Sequence, residues 1–175
     1  MNTEKVLVAY FVRKGKEESA NSVKLANQAL EMLKAKGVDA DSFAITPVEI
    51  YPDNQAEFEA ITKEENRLHR RPELVGKYSG MRHVERILLI APNWWEALPN
   101  GVLTFFDDYD FTGKRIVPVI STREPAEKVR MEVRHFLPNT WVLDGVDVME
   151  GETADASAEL SKAIDQLFQP STSKY

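Results

Sequence analysis

The stretch Lys5-Val-Leu-Val-Ala-Tyr-Phe-Val12, followed by Arg13-Lys-Gly-Lys-Glu-Glu-Ser19, decides how the rest of the chain is read. Its first half is an apolar run with β-branched and aromatic residues, the pattern of a buried strand. Its second half is short and polar with one glycine, and a helix-period pattern begins directly after it. A strand, a tight loop and a helix start bring free N–H groups and the positive end of a helix dipole to one place. Backbone geometry of this kind suits an anion. The side chains divide on the point. Arg13, Lys14 and Lys16 offer positive charge, whereas Glu17 and Glu18 stand where the helix begins and can satisfy its N–H groups themselves. A phosphate cradle built from Arg13, Lys14, Gly15, Lys16 and Glu17 and a self-capped charged loop are both open.

Outward from this stretch, strand and helix patterns alternate to the end of the chain. Helix one is expected over Glu18 to Lys36, with Ala20, Val23, Ala26, Leu30 and Leu33 as its apolar stripe and Gly37 after its end. Strand two, Val38 to Ile45, carries Asp39, Asp41 and Ser42 and therefore reads as an edge strand. Asn54 and Glu57 resemble a capping box for helix two, on which Phe58, Ile61, Glu65 and Leu68 lie roughly on one face. Pro72 closes that helix region, and residues 73–82 connect it to strand three, Arg86 to Ala91, a continuous apolar run suited to a sheet covered on both faces. Helix three starts near Pro99 and buries Val102, Leu103 and Phe106. Strand four is Arg115 to Ser121, where Pro118 argues against full pairing. Helix four opens at Pro125 and presents Val129, Val133 and Phe136. Strand five is Thr140 to Leu143 with an irregular tail to Val148, and Thr153 is the expected N-cap of helix five. Residues 170–175 read as a frayed tail of one domain spanning 1–175.

Five strands alternating with five helices imply a three-layer α/β sandwich around a parallel sheet with right-handed crossovers. An edge-like strand two and central strands one and three give the order 2-1-3-4-5, whose switch point lies between strands one and three. Three loops then converge at the C-terminal strand ends: residues 12–17, residues 92–97 and residues 121–124. In the second loop, Pro92-Asn-Trp-Trp95 places Trp94 and Trp95 to stack on a planar ligand or to pack under the loop, and Asn93 to bond a ring edge or shape the turn. In the third, Ser121 and Thr122 precede Arg123, which could reach an anion, Glu124 or solvent.

Composition narrows the function classes. The 175 residues are 43% hydrophobic and 29% charged, with no cysteine, which excludes disulfides and thiolate chemistry and suits a cytoplasmic setting. A net charge of −6 disfavours nucleic acid as a partner. No apolar run reaches the length of a membrane span, and the N-terminal run reads as strand one rather than a signal peptide. His69, His83 and His135 follow no metal-ligand spacing, and no nucleophile elbow or Walker pattern occurs. No acid–base pair stands out, which fits chemistry carried by a cofactor.

Several motifs together resemble the flavodoxin family: Lys5-Val-Leu-Val-Ala-Tyr-Phe11, Tyr51-Pro52, Arg71-Pro-Glu-Leu74, Pro92-Asn-Trp-Trp95, and Leu98-Pro-Asn-Gly-Val-Leu-Thr-Phe-Phe106 running to Tyr109-Asp-Phe-Thr-Gly-Lys-Arg-Ile-Val-Pro118. The resemblance spans nearly the whole chain. It implies a flavodoxin-like fold holding FMN non-covalently, for electron transfer or quinone-type reduction with a redox partner protein or small-molecule acceptor, and it is compatible with a homodimer. The family's phosphate loop typically reads Ser/Thr-x-Thr-Gly-x-Thr. Here Val12-Arg-Lys-Gly-Lys-Glu17 keeps only the glycine, and Ser121-Thr-Arg-Glu-Pro125 lacks the glycines usual after strand four. A flavodoxin-fold binding module without tight flavin binding is therefore the second expectation.

Overall fold

The computed structural model describes residues 5–170. The chain runs β1 (Lys5–Phe11), α1 (Asn21–Ala35), β2 (Ala40–Ile45), α2 (Gln55–Arg67), β3 (Val84–Pro92), α3 (Asn100–Asp108), β4 (Arg115–Thr122), α4 (Glu127–Phe136), β5 (Trp141–Val142), β6 (Val146–Met149) and α5 (Ser157–Leu167). Short 3-10 turns stand at Glu17–Ser19, Met81–His83 and Glu150–Glu152. Every ladder is parallel and the strand order is β2-β1-β3-β4-β5, with β6 also pairing β4. This is the expected 2-1-3-4-5 order.

Side-chain alternation along the strands builds two cores. Val6 and Val8 of β1, with Leu88, Ile90, Val117 and Val119, face α1 and α5. Leu7, Ala9 and Phe11, with Ile87, Leu89 and Ile116, face the opposite layer of α3 and α4. Because both faces are covered, β3 and β4 must be apolar in consecutive positions, which is why Ile87–Ile90 reads as an unbroken run. At the end of the sheet away from the switch-point loops, Arg86 Nε (2.7 Å) and Arg115 Nη1 (2.7 Å) both donate to the Leu167 carbonyl, and the Arg115 guanidinium lies 3.9 Å from the Trp141 ring centre. Two cations thus meet the negative end of the α5 dipole. Among the described residues no helix is long and apolar enough to cross a membrane.

The fifth strand position departs from the expected single short strand. Pairing of β4 with β5 covers Arg115 and Ile116, stops, and resumes with β6 from Val119 to Thr122. The gap falls opposite Pro118, which has no N–H to give to a ladder. Pro118 therefore sits in a fully buried strand, and the irregularity it requires is placed in its neighbour. Gly145 makes the bend between β5 and β6 in the left-handed region at φ +73°. The supposed tail is a genuine strand, and its end delivers Glu150 to the C-terminal edge of the sheet.

Four further expectations are corrected. Helix α1 begins at Asn21, not Glu18, since Glu17–Ser19 forms a separate 3-10 turn. Helix α2 buries Phe58, Thr62 and Glu65, while Ile61 and Leu68 are exposed, because Tyr51 and Trp95 supply polar partners for that face. Thr153 does not cap α5; it is buried and donates to Asn21 Oδ1 (3.0 Å), and the N-cap residue is Ala156, whose own N–H donates to Gln28 Oε1 (2.9 Å). Thr122 belongs to β4 rather than to the loop and, like Ser121 before it, is buried. The expected frayed tail lies, from residue 171, outside the described residues.

Candidate functional site

The C-terminal ends of β1, β3, β4 and β6 surround two adjoining cavities of about 410 and 330 Å³. They share Trp94 and Glu150 as a common wall. Both volumes fall in the range of small-molecule sites, at the switch point where α/β sheets bind ligands.

The smaller cavity lies beside the loop after β1. Arg13 and Lys16 line it together with Phe11, Ser22, Pro92 and Ser121. Lys14, Gly15 and Glu17 stand on the exposed outer side of the loop and are not part of its wall. Lys16 N–H closes the turn on the Arg13 carbonyl (3.0 Å), with Gly15 at φ +90°. Gly15 N–H donates to Glu17 Oε1 (3.0 Å), a bond inside the loop; neither the 3-10 turn after it nor α1 has a side-chain cap, so the glutamates do not cap the helix start as the self-capped reading expects. Lys16 Nζ is 2.9 Å from Asp53, whose carboxyl this lysine holds below the usual range. Arg13 Nη2 donates to the Pro52 carbonyl (3.0 Å), and its guanidinium lies 4.0 Å from the Phe58 ring centre. Burial lowers the Arg13 pKa, opposed by the charge of Asp53. Its Nε is buried and meets no acceptor among the described residues.

The larger cavity is walled by Phe58, Asn93, Trp94, Trp95, Thr122 and Arg123, with carboxylates around its edge. The two tryptophans behave differently. Trp94 is half-buried and meets Phe58 (4.9 Å), Phe11 (5.0 Å) and Tyr51 (5.9 Å) edge-on, so it is fixed from three sides. Trp95 is 37% exposed, lies on α2 and donates its indole N–H to Thr62 Oγ1 (2.7 Å). Between Trp94 and Ala97 the chain makes a tight turn with reciprocal N–H to carbonyl bonds of 3.0 Å. Both central residues, Trp95 (φ 58°) and Glu96 (φ 62°), adopt the left-handed conformation that glycine or asparagine would favour. Such residues cost about 1–3 kcal/mol each, so strain is concentrated at the rim of this cavity.

Asn93 explains how the turn is held. Its Oδ1 accepts from Glu96 N–H (2.9 Å) and its Nδ2 donates to Thr122 Oγ1 (3.1 Å), so its side chain shapes the turn and ties β3 to β4. Arg123 pairs with Glu150 (3.0 Å), not with Glu124. Glu150, Phe58, Tyr51 and Asp53 were not among the expected site residues. The sequence pattern hides Glu150 because the strand ahead of it reads as an irregular tail; the alternation Val146-Asp-Val148 is the signal that marks it.

Behind Trp94, Glu65 is only 6% exposed and receives the Tyr51 hydroxyl at 2.9 and 3.1 Å. Burial raises the Glu65 pKa, and the Tyr51 bond opposes this only in part; burial and Glu65 together push the Tyr51 pKa up. A carboxyl whose pKa rises on folding favours the folded state while protonated. That contribution fades as pH climbs from the ordinary carboxylate range through the raised value. Glu65→Gln keeps an oxygen acceptor for Tyr51 and cannot ionise. Urea midpoints of the variant and the natural protein should coincide below about pH 4 and separate toward neutral pH, the variant being the more stable. A variant less stable at neutral pH would mean that the ionised carboxylate is the favoured form.

Among the described residues no group of three or more His, Cys, Asp or Glu is placed to hold a metal ion. Asp107 instead pairs with Arg71 (2.8 Å) and Asp110 accepts from Thr112 N–H (3.0 Å).

A parallel 2-1-3-4-5 sheet with its cavity at the switch point defines the flavodoxin class of α/β protein. The profile of the family described as Flavodoxin matches residues 5–166, and the chain belongs to that family. No curated protein matches the chain. Solved structures share its fold at low identity. A candidate flavoprotein from Bacteroides eggerthii is 17% identical with a TM-score of 0.71, the match covering 95% of this chain and 99% of that one. A flavoprotein in complex with FMN from Lactobacillus acidophilus is 16% identical, with a TM-score of 0.65 and coverage of 88% and 99%. Oxidised flavodoxin 1 from Bacillus cereus is 16% identical, with a TM-score of 0.57 and coverage of 96% and 100%.

Proposed function

We propose that the protein binds FMN non-covalently across the two cavities and acts as a redox protein, passing electrons to a partner protein or small-molecule acceptor. The observation that carries this reading is the pair of adjoining cavities, aromatic at one end and cationic at the other, at the switch point of a flavodoxin sheet. The ring system suits the larger cavity, where Trp94 is held rigidly by Phe11, Tyr51 and Phe58 and loses little freedom on contact with a planar ligand. Thr122 and Asn93 line the same cavity. The phosphate end suits the smaller cavity, where Arg13 and Lys16 stand and Arg13 Nε lacks an acceptor. Bound FMN supplies one- and two-electron chemistry. The protein's own residues position it, exclude water from one ring face, and require no acid–base side chain.

The test is a titration of FMN with the purified protein, followed by visible absorption and flavin fluorescence. Quenched fluorescence and shifted absorption bands with saturation are expected. Free-flavin spectra that persist at excess protein would overturn the reading.

A further inference from the structure

Two of the three cations around the site, and the Gly15 amide, are already matched by the protein's own carboxylates. Lys16 is tied to Asp53 at 2.9 Å, Arg123 to Glu150 at 3.0 Å, and the Gly15 amide to Glu17 at 3.0 Å. Arg13, the remaining cavity cation, is committed to the Pro52 carbonyl and the Phe58 ring. Three cations (Arg13, Lys16, Arg123) and three carboxylates (Glu96, Glu124, Glu150) line the two cavities. Asp53 and Glu17 add further negative charge just outside the smaller one. Glu150 stands on the wall that both cavities share, so a ligand spanning them passes this carboxylate.

We propose that Asp53, Glu150 and Glu17 are specificity-determining residues that neutralise the phosphate end of the site, so that the protein selects its flavin by the ring and discriminates only weakly between FMN and riboflavin. The inference rests on the flavin reading above and adds which flavin chemistry the site accepts. The physical argument is one of competition. A phosphate gains from a cation only what remains after that cation's existing partner is displaced or repelled. Exposed ion pairs are weak and exchange readily, so a phosphate is not excluded. It gains little, however, because Lys16 is already ion-paired with Asp53 and Arg13, held by the Pro52 carbonyl, keeps only its Nε without an acceptor. A phosphate loop of the usual kind presents hydroxyl and amide donors to the phosphate, whereas here Val12, Lys14 and Glu17 stand at the hydroxyl positions and Glu17 takes the Gly15 amide. The ring end has a charged edge of its own in Glu96, Arg123, Glu124 and the shared Glu150, but FMN and riboflavin present it with the same ring, so its contribution cancels in the ratio of the two affinities.

The test compares FMN and riboflavin by fluorescence titration of the full chain, natural and with Glu17→Gln, Asp53→Asn and Glu150→Gln, singly and together. All three side chains are exposed or half-exposed, so the fold is expected to persist. The natural protein should bind the two flavins within about tenfold of each other, as weak exposed pairing implies. The triple variant should raise the FMN-to-riboflavin affinity ratio by about tenfold or more, and its FMN affinity should fall with added salt more steeply than that of the natural protein. A natural preference for FMN above about 100-fold, or an FMN-to-riboflavin ratio unmoved in the triple variant, would overturn the inference and leave the flavin reading standing. Binding of neither flavin to any of these proteins would overturn both.

Discussion

Replacing Gly145 by Ala should destabilise the protein by more than about 4 kcal/mol, among the largest effects a single substitution produces. Two penalties coincide. The residue has φ +73°, where a β-carbon is strained, and a β-carbon built there would collide with the Pro118 carbonyl oxygen and lie 2.8 Å from Pro118 Cγ. The obstacle is backbone of a buried central strand, so it cannot swing aside. Nor can the bend drift outward, because Gln166 of α5 clamps Gly145 by accepting its N–H at 2.8 Å. Gly113→Ala provides the control: its φ is +77° but nothing lies within 4 Å of the added carbon. It should cost only about 1 kcal/mol, the conformational penalty alone. Equal losses for the two variants, measured by urea denaturation, would show that the close approach to Pro118 is not what fixes the bend. The same bend sets the direction of β6 and therefore the place of Glu150, so a folded fraction of Gly145→Ala should also show altered flavin binding.

The second large effect is expected at Trp94. Trp94→Ala removes a half-buried indole that Phe11, Tyr51 and Phe58 all meet edge-on, and should cost about 3 kcal/mol, the lower end for truncating a large aromatic side chain. Under the flavin reading it should also weaken FMN binding by at least about tenfold, since one aromatic contact contributes about 0.5–1.5 kcal/mol beyond area. Trp95→Ala should behave differently. It loses one hydrogen bond to Thr62 and an exposed contact with Lys63, worth about 1 kcal/mol in stability, and should leave flavin affinity within a few-fold. If the two variants shift stability and affinity equally, or if Trp95→Ala has the larger effect, the rigid-wall role assigned to Trp94 fails.

The adjacent tryptophans illustrate what local pattern can and cannot tell. Pro92-Asn-Trp-Trp95 marks a loop at the switch point, but a pair of identical side chains in sequence contains no sign of which one turns inward. The left-handed turn at Trp95 and Glu96 makes that choice, and the turn is held by Asn93 reaching Thr122 on another strand. Helix α2 is a similar case. Its apolar residues alone favour a face with Ile61 and Leu68, yet the buried face holds Thr62 and Glu65, because Trp95 and Tyr51 supply hydrogen bonds that make polar burial tolerable. Thr153 has the chemistry of an N-cap, but Asn21 competes for its hydroxyl from across the fold.

The layers and the strand order are legible in local sequence pattern. Burial on both sheet faces demands consecutive apolar residues in β3 and β4, and an edge strand tolerates Asp39, Asp41 and Ser42; both constraints are local and leave local traces. That pattern also determined where a ligand site must lie, since parallel topology sends the loops after β1, β3 and β4 to one edge. Only the tertiary structure decided the charge of that site. Lys16 with Asp53, Arg123 with Glu150 and Tyr51 with Glu65 are pairs from different loops or elements, brought together by the paths of β2, α2 and the split fifth strand. A list of residue types contains three basic residues that line the site, whereas the folded chain supplies each lysine or arginine there with its own acceptor, and that pairing is settled by distance in space rather than position along the chain.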